Sequence, residues 1–570
     1  MDVQTRELGA GGIRRETWWT LGVAAIVLLA LALRLHGINN PILDHPGWRQ
    51  GDTAAIARNF ARLQFNFMYP QTLYNGPPPN YVELELQIVP FLTATLYKVF
   101  GVHEIFGRLV TLAFSLATVV TLAHFARWLF TSSLAGITAA FFFAVFPGSV
   151  YYGRSFMPDT AMVFFLTAAL YGLARFLLED PTLAPRMLAR TAALLTFAYL
   201  AKPVAVIAVL PLAAVVAQRL RAGLATRASA AAVLLIVPLA ILWLYDRRVA
   251  SYAEWHWASG ITTLHVLPAL RDAFGSFSGF AAKCAAFRSA LGMLSQTMLG
   301  STGFACSVAA FFTLPWVTAR SKPLLWAWLI AALAYVFVVV TVERVDYYMY
   351  PLLPLCALAI GGAAARFVNA AIAAVAAPAA RYALVALLPV LGLVVLVQGR
   401  AAVAPYYDYN PQAYRNALRL DAALDKHALV VIGHYGPDVQ YYLDRFGWEE
   451  DAALWTPFDE ESAIRKGARY FISIEDDRLR RNVELCAWLQ RFPVFDFGAP
   501  WIVYETDPAK TLPNADALWK AFRAAERAGK ASTFLDRLPR CATHPPHGPI
   551  ASKVRSAAWN ASGPTVIVPR

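Results

Sequence analysis

Ten apolar runs long enough to span, or nearly span, a bilayer core fill the first 400 residues. They fall at about 17–36, 105–129, 133–150, 160–178, 190–218, 228–246, 303–319, 323–342, 348–365 and 382–398. With 58% hydrophobic and 15% charged residues, the chain departs from soluble domains, which run at roughly 45–50% apolar and about 25% charged. An ordinary soluble protein is excluded. The run at 190–218 is too long for one span and is interrupted at Lys202-Pro203, where proline removes a backbone donor. Reading it as two short helices gives about eleven spans, and hence an α-helical polytopic membrane protein.

A net charge of +13 in a soluble chain would suggest nucleic acid. Here the basic residues recur in alternate loops: Arg14, Arg15, Arg127, Arg175, Arg186, Arg190, Arg219, Arg221, Arg227, Arg320, Lys322, Arg366 and Arg381. The positive-inside rule makes those loops cytoplasmic, with the N-terminus inside, and no nucleic acid is needed to explain the charge. The N-terminal run has the charge order of a secretory signal but no small-residue cleavage site, so it reads as a retained first helix. An odd number of spans places residues 399–570 on the outer side. There, short apolar runs (428–433, 468–474, 499–505) alternate with amphipathic stretches, the pattern of a small α/β domain, and the last part, around PHGP, reads as irregular. The expected domains are therefore 1–398, membrane-embedded and catalytic, and 399–570, outer. Of the five cysteines, Cys486 and Cys541 can pair if this region meets an oxidising compartment.

Long outer loops carry function more often than short ones. The first, 37–104, is the largest, and its stretch TAAIARNFARL reads as a helix lying along the membrane interface. It opens on Asp44-His45-Pro46-Gly47-Trp48-Arg49, followed by Asp52, a density of charge that is either a solvated loop or a site. A second outer segment, YYGRSFMPD (151–159), ends on Asp159, which can be a helix N-cap or a functional carboxylate. Both carboxylates are expected on the same side of the membrane, with Arg49, Arg154 and Lys202. Carboxylates near cations suit a reaction in which a hydroxyl loses its proton while a phosphate departs. For Lys202 the alternative is snorkelling to the headgroups.

This order of features, together with the Asp-Tyr-Tyr-x-x-Pro-Leu-Leu-Pro sequence from Asp346 to Pro354, resembles the GT-C glycosyltransferases, in particular the ArnT-like enzymes and the protein O-mannosyltransferases. The resemblance covers nearly all of residues 17–400. It implies an inverting transfer of a sugar from a polyprenyl-phosphate-linked donor to an acceptor hydroxyl on lipid A or lipopolysaccharide, another envelope glycan, or protein. Asp44 and Asp159 match the family's two loop carboxylates and are the expected catalytic residues. Where ArnT-like enzymes have Asp-Glu-x-Arg-Tyr, this chain has Asp44-His45-Pro46-Gly47-Trp48-Arg49, so the ArnT sugar does not carry over.

Lys202, Arg49, Arg154 and Arg344 are the expected donor-phosphate ligands. His45, Asp52, Glu83, Glu85, His256, Tyr347 and Tyr348 are candidates for sugar or acceptor binding, although Tyr347, Tyr348 and the Trp255-His256 pair equally fit an aromatic interface belt. With cations available no cofactor or essential metal is expected, although two aspartates can hold a divalent ion. The expected setting is the inner membrane of a bacterial cell, with the C-terminal domain periplasmic and the chain a monomer among membrane lipid. A transporter or flippase of lipid-linked sugars is the alternative; it predicts an internal repeat and charged residues at the bilayer midplane, and neither is visible.

Overall fold

A computed structural model describes residues 3–178, 185–221, 225–535, 538 and 541. The side chains of Arg14, Arg15, Arg219, Arg221 and Arg227, and the tail from PHGP onward, lie outside the described residues. The chain divides into two compact units, Met1–Asn39 with Glu83–Ala404 and Asn40–Val82 with Pro405–Arg570. This differs from a division at 398, because half of the first outer loop groups with the C-terminal region.

The first unit is helical. Among the described residues, six helices are long and apolar enough to cross a membrane, or seven if the bent pair Phe277–Met298 and Ser301–Trp316 counts as one span. About eleven were expected. Part of the difference lies in where runs break. The run at 133–150 ends as a 13-residue helix, Ser133–Val145, because Pro147 starts a separate helix, Pro147–Tyr152. Lys202 does break the 190–218 run: the helix Pro185–Ala201 gives way to a 3-10 turn, Pro203–Ala208, and then to Val209–Arg221.

Helix packing in lipid depends on small residues that let backbones approach. The short helix Ser133–Val145 illustrates this from both sides. A Cβ at Gly136 would stand 2.5 Å from the Ala123 carbonyl of helix Glu104–Leu129, and one at Gly361, in helix Leu353–Ala374, would stand 2.5 Å from the Ala135 carbonyl. The exit of the first helix is fixed by buried arginines. Arg34 donates to the Ser115 and Ser149 hydroxyls at 2.9 and 2.8 Å and to the Ala30 and Ala144 carbonyls. Arg108 and Arg154 both donate to the Gly37 carbonyl, at 2.6 and 3.0 Å.

The second unit is built on a five-stranded sheet: β1 (Leu429–Gly433), β2 (Gly447–Glu449), β3 (Ala468–Ser473), β4 (Val494–Phe495) and β5 (Ile502–Glu505), in the order β2-β1-β3-β5-β4. β1 runs parallel to β2 and β3, whereas β5 is antiparallel to β3 and β4. Val431, Phe471, Trp488, Tyr504 and Phe522 form its core, and a disulfide joins Cys486 to Cys541. The segment expected to lie on the membrane interface is instead the helix Gly47–Arg62, buried from Gln50 to Phe60. Its small residues face the helix Pro437–Leu443 so closely that a Cβ at Gly51 would meet the Asp438 amide at 2.6 Å. Arg58 adds an ion pair to Asp444 at 2.9 Å. An alanine-rich face with that partner has no need of a headgroup layer.

Candidate active site

The break at Lys202 gives the first unit a buried ion pair. Lys202 caps the 3-10 turn in extended conformation, and its ammonium donates to Asp159 Oδ1 at 2.6 Å. Asp159 is the first residue of the helix Asp159–Leu178, so its position at the helix start and its ion pair are both present. Both residues are buried, and Asp159 Oδ2 is buried with no hydrogen-bond partner among the described residues. The rings of Tyr348 and Tyr347 lie 4.5 and 5.1 Å from the same ammonium. Each such contact is worth about 0.5–2 kcal/mol, toward the upper end when desolvated. Two aromatic faces and one carboxylate oxygen thus flank the buried ammonium.

The end of the first loop reaches the same helix end. The Leu86 amide donates to the Leu200 carbonyl at 2.7 Å, two residues before Lys202. Glu85 is buried beside this anchor. Glu83 is buried too and accepts the Ser259 amide and hydroxyl at 3.0–3.2 Å, with His256 Nδ1 3.9 Å away. Burial, followed by the adjoining Asp246 carboxyl, pushes Glu83 up to about 7. His256 is the exposed member of this group. Arg344 is exposed as well, with a left-handed backbone (φ +51°) and its Nε reaching the Thr341 carbonyl at 3.5 Å. Arg154, fully buried, lies over the Tyr151 ring at 4.7 Å in addition to holding Gly37.

The remaining candidates belong to the second unit. Asp44 is fully buried, and its Oδ1 accepts the Gln50 side-chain amide at 2.6 Å. His45 stacks on Tyr406 with ring centroids 4.2 Å apart. Asp52 is buried between Arg49, 4.0 Å away, and the buried Tyr74 hydroxyl, whose pKa is raised first by burial and then by Asp52. Among the described residues, no three His, Cys, Asp or Glu side chains converge as a metal site requires.

Residues 87–245, which include both Asp159 and Lys202, match the family described as dolichyl-phosphate-mannose-protein mannosyltransferase. Among solved structures, ArnT from Cupriavidus metallidurans bound to undecaprenyl phosphate superimposes with a TM-score of 0.53 at 13% identity, covering 86% of this chain and 99% of that one. The archaeal oligosaccharyltransferase AglB from Archaeoglobus fulgidus, in complex with an inhibitory peptide and a dolichol-phosphate, gives 0.56 at 13% identity, with 88% and 75% covered. The chain thus shares its fold with these two membrane proteins, and its segment 87–245 is similar to the mannosyltransferase family. Among curated proteins, none matches the sequence.

Several buried polar groups of the first unit are given no role by the sequence reading. Arg34 lies near the end of the run 17–36 and Arg108 inside the run 105–129, and both are fully buried. Asp346 entered only as part of a motif, although it is buried and accepts the Tyr152 hydroxyl at 2.6 Å. Charge inside an apolar run was the available signal, because such charge needs a partner.

Proposed function

We propose that this enzyme transfers a sugar, with inversion, from a polyprenyl-phosphate-linked donor to an acceptor hydroxyl of an envelope glycolipid, glycan or protein, on the periplasmic face of a bacterial inner membrane. The observation that carries this reading is the buried Asp159–Lys202 pair, a carboxylate and a cation that lie together inside the segment matched to the mannosyltransferase family. That ArnT was solved with undecaprenyl phosphate and AglB with dolichol-phosphate supports the donor class. The disulfide Cys486–Cys541 supports an oxidising compartment around the α/β unit, and hence the periplasmic side.

In the proposed reaction the bond between sugar C1 and the phosphate oxygen breaks, and its electron pair leaves on polyprenyl phosphate. Lys202, with Arg49, Arg154 and Arg344, neutralises the charge that develops there. Asp44 accepts the proton of the acceptor hydroxyl as that oxygen bonds to C1 from the opposite face. Asp159 holds the ammonium of Lys202, while its second oxygen remains available to a sugar or acceptor hydroxyl. Glu83, Glu85, His45, Asp52, His256, Tyr347 and Tyr348 bind the sugar and acceptor. Neither a cofactor nor a metal ion is assigned a step.

Asp44→Asn and Asp159→Asn should each lower transfer by about 100-fold or more in proteoliposomes while the protein stays folded. Full activity in both variants would remove the catalytic assignment. Mass spectrometry of surface glycolipids and glycoproteins from a deletion strain identifies sugar and acceptor together, and an unchanged surface would count against the reading.

A further inference from the structure

The two rings that flank Lys202 come from the 3-10 turn Asp346–Leu352, so whatever sets that turn sets the surroundings of the ammonium. One carboxylate organises its start. Asp346 is 7% exposed, and its Oδ1 accepts both the Tyr152 hydroxyl at 2.6 Å and the Tyr347 amide at 2.9 Å. Tyr152 also packs edge-on against the rings of Tyr347 and Tyr350, with centroids 6.1 and 6.5 Å away. Two residues upstream, Arg344 holds a left-handed backbone that side chains rarely adopt and that neighbouring contacts must maintain.

We infer that Asp346, assisted by Tyr152, is a positioning residue for Lys202: it fixes the Tyr347–Tyr348 pair against the ammonium and thereby aims that ammonium at the donor phosphate. The inference rests on the donor-phosphate reading of Lys202 given above. Asp346 acts through hydrogen bonds accepted at a single oxygen. Both of those bonds need an acceptor atom rather than a negative charge, so asparagine can replace aspartate and alanine cannot.

The test is the affinity of the full-length protein for undecaprenyl phosphate, together with a double-mutant cycle. Asp346→Ala should weaken binding about tenfold and Tyr152→Phe about threefold, whereas Asp346→Asn should stay within about twofold of the parent. Lys202→Met should weaken binding by itself, and Asp346→Ala should add little in the Lys202→Met background. A loss of packing that did not act through Lys202 would add in full. If Lys202→Met leaves affinity unchanged, the phosphate role of Lys202 fails and the inference fails with it. If Lys202→Met weakens binding while Asp346→Ala does not, or while the two losses simply multiply, the positioning role alone is overturned. Asp346→Asn as weak as Asp346→Ala also overturns it, because the charge would then be what matters. Tyr152→Phe keeps the question decidable should the alanine variant fold poorly.

Discussion

The two units each bury a cation completely or nearly so, and they satisfy it differently. In the α/β unit Arg445 is fully buried, and its guanidinium is saturated by the Asp421, Leu424, Asp425, Leu443 and Asp444 carbonyls and by the Asp421 carboxylate. In the membrane unit Lys202 has one carboxylate oxygen and two aromatic faces. A saturated cation locks loops together and has no capacity left for a ligand. A cation held by one oxygen and two rings keeps hydrogen-bonding capacity for a further partner. Burial alone therefore does not mark a functional cation; the number of hydrogen bonds already made does.

Substituting the two cations should produce opposite effects, and this contrast is the largest expected. Lys202→Met is expected to lower transfer by about 1,000-fold with a smaller change in melting temperature, while Arg445→Met destabilises the α/β unit by about 3 kcal/mol or more and leaves the turnover of folded protein near normal. Turnover normalised to folded protein, measured beside thermal unfolding, checks both. A Lys202 variant that is destabilised yet fully active would reverse the comparison.

Removing the Cys486–Cys541 disulfide by serine substitution should cost the α/β unit about 2–4 kcal/mol, seen as lost amide protection in the sheet, with turnover at 25 °C little changed. The sheet of this unit should also respond to pH. Burial disfavours a charged His434, but Asp438 and Glu475 outweigh it and raise the imidazole from 6.5 to about 10. Its stabilising contribution is complete below about 6.5 and is lost as pH rises toward 10. Glu460, raised by burial from 4.5 to about 8 despite its bond from Trp455, acts in the same direction, because the folded state keeps a proton that the unfolded chain releases. Exchange at strands β1 and β3 should accelerate from pH 6 to 9 beyond its intrinsic rise, and His434→Gln should flatten that trend. The smallest effect expected is about 1 kcal/mol for Thr456→Ala, which removes the capping box with Asp459 at helix Pro457–Arg465.

Sequence pattern exposed most of the membrane unit, because lipid makes apolar runs and their interruptions conspicuous. Lys202-Pro203 was visible as a break, and Asp159 as a carboxylate at the head of an apolar helix. The count of spans was harder to read, since hydropathy does not register a helix that stops at Val145 and restarts at Pro147. The partner of helix Gly47–Arg62 was hidden for another reason. Its alanine and glycine face suits a headgroup layer as well as it suits the helix Pro437–Leu443, and only a contact between residues almost 400 positions apart decides between them. Asp346 was inconspicuous because its importance depends on Tyr152, far away in the chain.

The α/β unit is assembled from two separate stretches of chain, Asn40–Val82 and the region beginning at Pro405. At roughly 5–20 residues per second, helix Gly47–Arg62 waits on the order of 20–70 s after its synthesis before the helix that covers it exists. Throughout that interval its alanine face is exposed while the membrane helices are still being inserted. The order of assembly is thus written into the connectivity: the early segment must persist without its partner and be captured last.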